Sequence, residues 1–78
     1  MTENEFCEKC AFGCDILFDC RGKHFVVMSA EDYVNICEQK TENNLRSFMS
    51  GDDLLDNYTI DCLPLRKLWN EVIVTDVY

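Results

Sequence analysis

The sequence predicts a small α+β domain: a β-hairpin and a third short strand packed against two or three helices, in the order β-β-α-α-β-α. Three observations carry this expectation. Ile16, Phe18 and Cys20 alternate with Leu17 and Asp19, as a half-buried strand requires, and Gly22 follows where a hairpin turn needs permissive backbone. Leu65, Leu68, Trp69, Val72 and Ile73 fall at i, i+3, i+4, i+7 and i+8, one stripe of an amphipathic helix. The chain has 78 residues, 47% of them hydrophobic, enough for one small core and too few for two.

The elements follow in order. Residues 1–12 read as an acidic, cysteine-containing lead-in, and 13–78 as the single domain. Asp15 to Cys20 forms the first strand and His24 to Met28 the second, around Arg21-Gly22-Lys23. Ser29 can cap a helix whose first turn holds Glu31 and Asp32, with Tyr33, Val34 and Cys37 as its buried stripe. Thr41 to Asn44 breaks or restarts that helix. Leu45, Phe48 and Met49 recur at helical spacing, and Gly51 is placed to end the second helix. Asp52, Asp53 and Asp56 form an acidic loop around Leu54 and Leu55. Tyr58, Ile60 and Cys62 alternate as the third strand, and Pro64 suits the first turn of the final helix. Val74 to Tyr78 extends that helix or frays into a strand. The expected core is Ile16, Phe18, Phe25, Val27, Phe48, Trp69, Val72 and Ile73.

Charge excludes some partners. A formal charge of -8 argues against nucleic acid, whose phosphates need clustered Lys and Arg, and against an anionic membrane surface. It suits a basic protein partner or mimicry of nucleic acid. The opening Met-Thr-Glu-Asn-Glu has neither a basic region nor an apolar run, so the expected compartment is the cytoplasm or nucleus, of the protein's own cell or of a host cell.

That compartment sets the reading of the six cysteines: thiols or metal ligands rather than a disulfide framework. Cys7, Cys10, Cys14 and Cys20 are spaced C-x2-C-x3-C-x5-C and are the candidate ligands of a structural zinc, although the second C-x2-C pair of a zinc ribbon is missing. The alternative is that Cys14, Cys20, Cys37 and Cys62 are small buried hydrophobes.

Cys14-Asp15-Ile16-Leu17-Phe18, followed by Gly22-Lys23-His24-Phe25, resembles the opening hairpin of the BTB/POZ fold, shared by elongin C and the Skp-type cullin adaptors. Leu45-Arg46-Ser47-Phe48-Met49-Ser50-Gly51 resembles the family's next helix. Ile60-Asp61-Cys62, Leu65, Trp69, Val72-Ile73 and Val77-Tyr78 resemble its third strand and following helix. The resemblance covers about residues 14 to 78, with Met28-Ser29 where the family usually carries Ala-His and a longer connection before Leu45. It implies a protein-interaction adaptor, or a decoy for one, acting toward a cullin-type ligase component or another BTB-type domain. Gly22 to Tyr33 is also similar to the hairpin-helix of Phd/YefM-type antitoxins, whose preceding region is basic where this one is acidic.

No catalytic constellation is visible. His24 is the only histidine, and Cys7-x-x-Cys10 lacks the βαβ context of a redox motif. The sequence therefore predicts a non-enzymatic module that binds another protein through Asp52, Asp53, Leu54, Leu55, Asp56 and Tyr58, apolar residues with an acidic rim. A homo-oligomer fits the same reading. One alternative is a small acidic inhibitor of viral or phage type that blocks a basic nucleic-acid site on its target; the second is a zinc-stabilised binding module.

Overall fold

A computed structural model describes the backbone of residues 1–78 and the side chains of residues 1–40 and 45–78. The chain opens with helix α1, Glu3–Ala11, which the sequence signals through a capping box: the Thr2 hydroxyl accepts from the Glu5 N–H and the Glu5 carboxylate accepts from the Thr2 N–H. Residues 1–12 are thus not a lead-in beside the domain. Phe6 is fully buried, and Cys10 nearly so.

Strands β1, Ile16–Cys20, and β2, Lys23–Ser29, form the expected hairpin, with Cys20 opposite Lys23. Its two turn residues, Arg21 and Gly22, both have positive φ (52° and 76°), the type I′ turn that matches strand twist. Two further strands continue the meander: β3, Val34–Glu38, and β4, Thr41–Phe48. Helix α2, Gly51–Asn57, follows, then a small hairpin of β5, Thr59–Ile60, and β6, Leu63–Pro64. A 3-10 helix, Leu65–Glu71, leads into β7, Ile73–Val77. The main sheet is antiparallel in the order β4-β3-β2-β1-β7, so the chain returns to pair its final strand with β1.

The expected order β-β-α-α-β-α is overturned: the observed order is helix, four strands, helix, two strands, 3-10 helix, strand. Each correction has a local cause. Around Tyr33 to Cys37, alternating Val34 and Ile36 against Asn35 and Cys37 fits a pleat as well as Tyr33, Val34 and Cys37 fit a helix, and β-branched residues favour the strand. Leu45, Phe48 and Met49 do not share a helix face. Phe48 ends β4, and Met49 is 83% exposed. Gly51 starts a helix instead of ending one, because Ser50 is a true N-cap whose hydroxyl accepts from the Asp53 N–H, and Asp52 and Asp53 suit the first turn. The expected loop at Asp52–Asp56 is therefore α2. The expected helix break at Thr41–Asn44 falls on residues whose side chains lie outside those described.

The final stripe divides in two. Leu65 and Leu68 are buried at the three-residue spacing of the 3-10 helix, with Pro64 just before it. From Val72 the chain extends, because Val72-Ile73-Val74-Thr75 is a β-branched run with β1 free to pair. Ile73 is consequently 65% exposed on the sheet and not in the core. Cys62 is exposed rather than buried, since it occupies the β5–β6 turn with Asp61, both at positive φ (67° and 52°).

The core lies between one face of the sheet and the three helices. Ile16, Phe18, Phe25 and Val27 are buried as expected, joined by Ile36, Leu54, Leu55, Leu65 and Leu68. Phe18 and Phe25 stack with centroids 5.1 Å apart. Phe48, Val72 and Trp69 are only partly buried. Trp69 meets the Phe6 ring edge-on at 5.1 Å, and its indole N–H donates to the Met1 carbonyl at 2.9 Å, fastening the start of α1. Among the described residues no helix is long and apolar enough to cross a membrane.

Leu54→Ala and Leu55→Ala, each made separately, are expected to destabilise the fold by about 2–5 kcal/mol, the range for truncating a fully buried leucine. Urea denaturation checks this; a loss under about 1 kcal/mol for either would remove it from the core.

Candidate functional site

The acidic segment singled out in the sequence is largely engaged within the fold. Arg66, on the 3-10 helix, donates to three carboxylates: Nε to Asp56 at 2.6 Å, Nη2 to Asp52 at 3.0 Å and Nη1 to Glu3 at 3.1 Å. One guanidinium fork thereby ties α1, α2 and the 3-10 helix together. Asp53 accepts from the Met49 N–H at 2.9 Å and from the Asn57 amide at 2.7 Å, sealing the start of α2. Leu54 and Leu55 are both fully buried. Adjacent residues point to opposite faces in a strand, but not in a helix. In a helix they lie about 100° apart, and α2 packs against α1, the 3-10 helix and the sheet together. Of the six residues expected to bind a partner, only Asp52, Asp53, Asp56 and Tyr58 reach the surface at all, and Tyr58 is half-buried at the edge of a cleft.

The cysteines expected as ligands are not gathered either. Cys7 sits against α2, its thiol 3.5 Å from the Asp52 carboxylate. Cys10 is buried beneath α1. Cys20 is at the hairpin end of β1, near Arg21 and Glu71. Among the described residues no three His, Cys, Asp or Glu side chains form a metal-ligating group. Burial pushes the Cys10 and Cys20 thiols up. Burial and then the Asp52 carboxylate push Cys7 up to about 11, which suppresses the thiolate that metal binding or nucleophilic attack needs.

The feature that sequence reasoning missed is the other face of the sheet. All three helices join the core cluster on one side. On the opposite side, Leu17, Val26 and Cys37 stand in register across β1, β2 and β3. Leu45 continues this row on β4, two residues from Ser47, which pairs with Asn35 on the same face. Leu17 and Val26 are half-buried yet lie outside the core cluster; Met28, Leu45 and Ile73 beside them are 36%, 47% and 65% exposed. Carboxylates border the β1–β7 side: Asp76 opposite Leu17, Asp19 opposite Ile73, and Asp15 at the start of β1. The Asp19 carboxylate lies 2.6 Å from the His24 ring nitrogen Nδ1. The only advance signal was the alternation of Leu17 and Val26 with buried neighbours, since an antiparallel strand facing water usually carries polar residues there.

Comparison with protein families, curated proteins and solved structures finds no match.

Two predictions follow from the carboxylate cluster. Cys7 should alkylate with iodoacetamide at pH 8 far more slowly than exposed Cys62, and Asp52→Asn should lower the pH at which Cys7 reacts while burial still holds it above an ordinary thiol; mass spectrometry of quenched time points reads both. Hydrogen bonding to Arg66 holds the Asp52 carboxyl below its ordinary range, so the stabilisation is present above about pH 4 and is lost as pH falls through the depressed value. The melting temperatures of wild type and Arg66→Gln should therefore differ most near neutrality and converge in acid. A constant difference across the titration would show that Arg66 acts through packing alone.

Proposed function

We propose that this chain is a non-enzymatic protein-binding module that docks its partner on the open face of the sheet. The observation that carries the reading is the surface formed by Leu17, Val26 and Leu45, flanked by Met28 and Ile73, which reaches solvent while every helix packs on the other side. A contiguous apolar sheet face of this kind marks an interaction surface more often than scattered exposed residues do. Asp15, Asp19 and Asp76 along one border favour a partner with an apolar surface and a basic rim. They disfavour a second copy stacked face to face in an arrangement that would bring like borders together. The adaptor or decoy reading needs only such a surface, and it rests on this geometry rather than on the BTB/POZ resemblance.

Nucleic-acid mimicry has less support. A mimic needs free carboxylates spaced over one face, and here Glu3, Asp52 and Asp56 are held by Arg66, Asp61 and Glu71 by Arg21, and Asp53 by backbone and Asn57.

Leu45→Asp and Ile73→Asp place charge on exposed positions and should leave melting within a few degrees of wild type. Each should abolish capture of the partner that the wild-type protein retains from its cell. Asp15→Lys with Asp76→Lys should slow association and flatten its salt dependence. Unchanged capture by both aspartate variants would move the binding surface off this face. A wild-type dimer in sedimentation that Ile73→Asp dissolves would name a second copy as the occupant.

A further inference from the structure

On the helix-covered side of the sheet, beyond the end of α2, a cleft of about 560 Å³ opens between β3–β4 and the segment Asn57 to Asp61. Its size falls within the range of small-molecule sites. Its floor is aromatic: Tyr58 meets Phe25 and Phe48 edge-on, with centroids 6.1 Å and 6.2 Å apart. Arg46 and Glu38 stand on its β4 and β3 walls.

The ionic state of those two residues sets this cleft apart. The chain has 15 acidic residues and seven basic ones, so an arginine should readily find a carboxylate. Arg66 holds three and Arg21 holds two. Among the described residues Arg46 makes no ion pair or hydrogen bond, and neither does the side chain of Glu38. The other charges in the cleft are paired: Lys23 lies 3.9 Å from Asp61, which also accepts from Arg21. Both unpaired groups act on Tyr58. Burial raises its hydroxyl most, Glu38 raises it further and Arg46 opposes them, so both charges lie near the one ring that all three share in the cleft lining.

We infer that this cleft binds a small zwitterion with an aromatic or large apolar side chain, the chemistry of a free α-amino acid. Its carboxylate would pair with the Arg46 fork, its ammonium with Glu38, and its side chain would lie on the Phe48 and Tyr58 rings. A simple anion is disfavoured, because Glu38 and Asp61 share the walls, and a simple cation is disfavoured by Arg46. A zwitterion satisfies both unpaired groups at once. The site lies on the face opposite the proposed docking surface and stands independently of it.

The test is an NMR titration of the full chain with L-phenylalanine, 3-phenylpropionate and phenethylamine. Phenylalanine should shift the amides around Arg46 and Tyr58 saturably, with a Kd of about 1 mM, the strength expected of so small a ligand. The two analogues, each lacking one charge, should bind at least about tenfold more weakly, and Arg46→Gln and Glu38→Gln should each weaken phenylalanine by a similar factor. Both substitutions are at the cleft wall and outside the core, so retained amide dispersion separates lost binding from lost folding. Leu45→Asp and Ile73→Asp should leave this titration unchanged. The inference is overturned by no saturable shift at these amides up to about 20 mM, by 3-phenylpropionate or phenethylamine matching phenylalanine, or by unaltered binding in Arg46→Gln.

Discussion

Helix α2 begins against α1 because Gly51 has no side chain. A Cβ at that position would lie 3.1 Å from the Cys7 Cα, tighter than most packing contacts, and would just touch the Cys10 side chain at 3.4 Å. The covered side of the sheet depends on this approach. It brings the Cys7 thiol to Asp52 and sets Asp52 and Asp56 beside Glu3, where one guanidinium reaches all three. It also lets Phe6 enter the core and meet Trp69. The ionic contacts are solvent-exposed and individually weak; the buried apolar area supplies most of the stabilisation, and the ion pairs fix how the short helices are oriented over it.

A sheet covered on one side divides the surface into regions with different physics. On the covered side, polar groups are drawn into caps and ion pairs, and the arginines Arg21 and Arg66 are saturated. Arg46 and Glu38, unpaired among the described residues, stand where α2 ends and the cover stops. On the open side, the pleat displays the alternate residues of the same strands, and Leu17, Val26 and Leu45 are apolar where water would favour polar side chains. One sequence of alternating residues thereby presents a core to the helices and a second apolar layer to the outside.

The first hairpin was legible because its alternation was unbroken and Gly22 marked the turn. The remainder depended on a choice between periods that short apolar runs do not decide. Tyr33 and Val34 are adjacent, so a helical stripe could be drawn through them, and the strand signal of Val34 and Ile36 lay beneath it. Leu65 to Ile73 gave a continuous helical stripe, yet only Leu65 and Leu68 bury as a helix; the β-branched run after Val72 answers to β1, a partner distant in sequence. Ser50 as an N-cap, with Asp52 and Asp53 behind it, was a local signal for α2 that a loop reading of the aspartates obscured. Of the candidate site, the sequence points to Tyr58 as a partner-binding residue beside the aspartates, and the fold gives it a place in the cleft instead. Arg46 carried no sequence signal, because its lack of a carboxylate partner among the described residues exists only in three dimensions.

The pairing of β1 with β7 sets an order on folding. Strands β1 to β4 are joined by tight turns and can zip as a local meander, but Ile16 meets Val77 only after the intervening chain has laid down α2, the small hairpin and the 3-10 helix. Until then one side of β1 is a row of unsatisfied backbone groups next to a growing apolar face. During synthesis that interval lasts until Ile73 to Val77 emerge from the ribosome, and a nascent chain stalled before them would present an adhesive strand rather than a finished sheet.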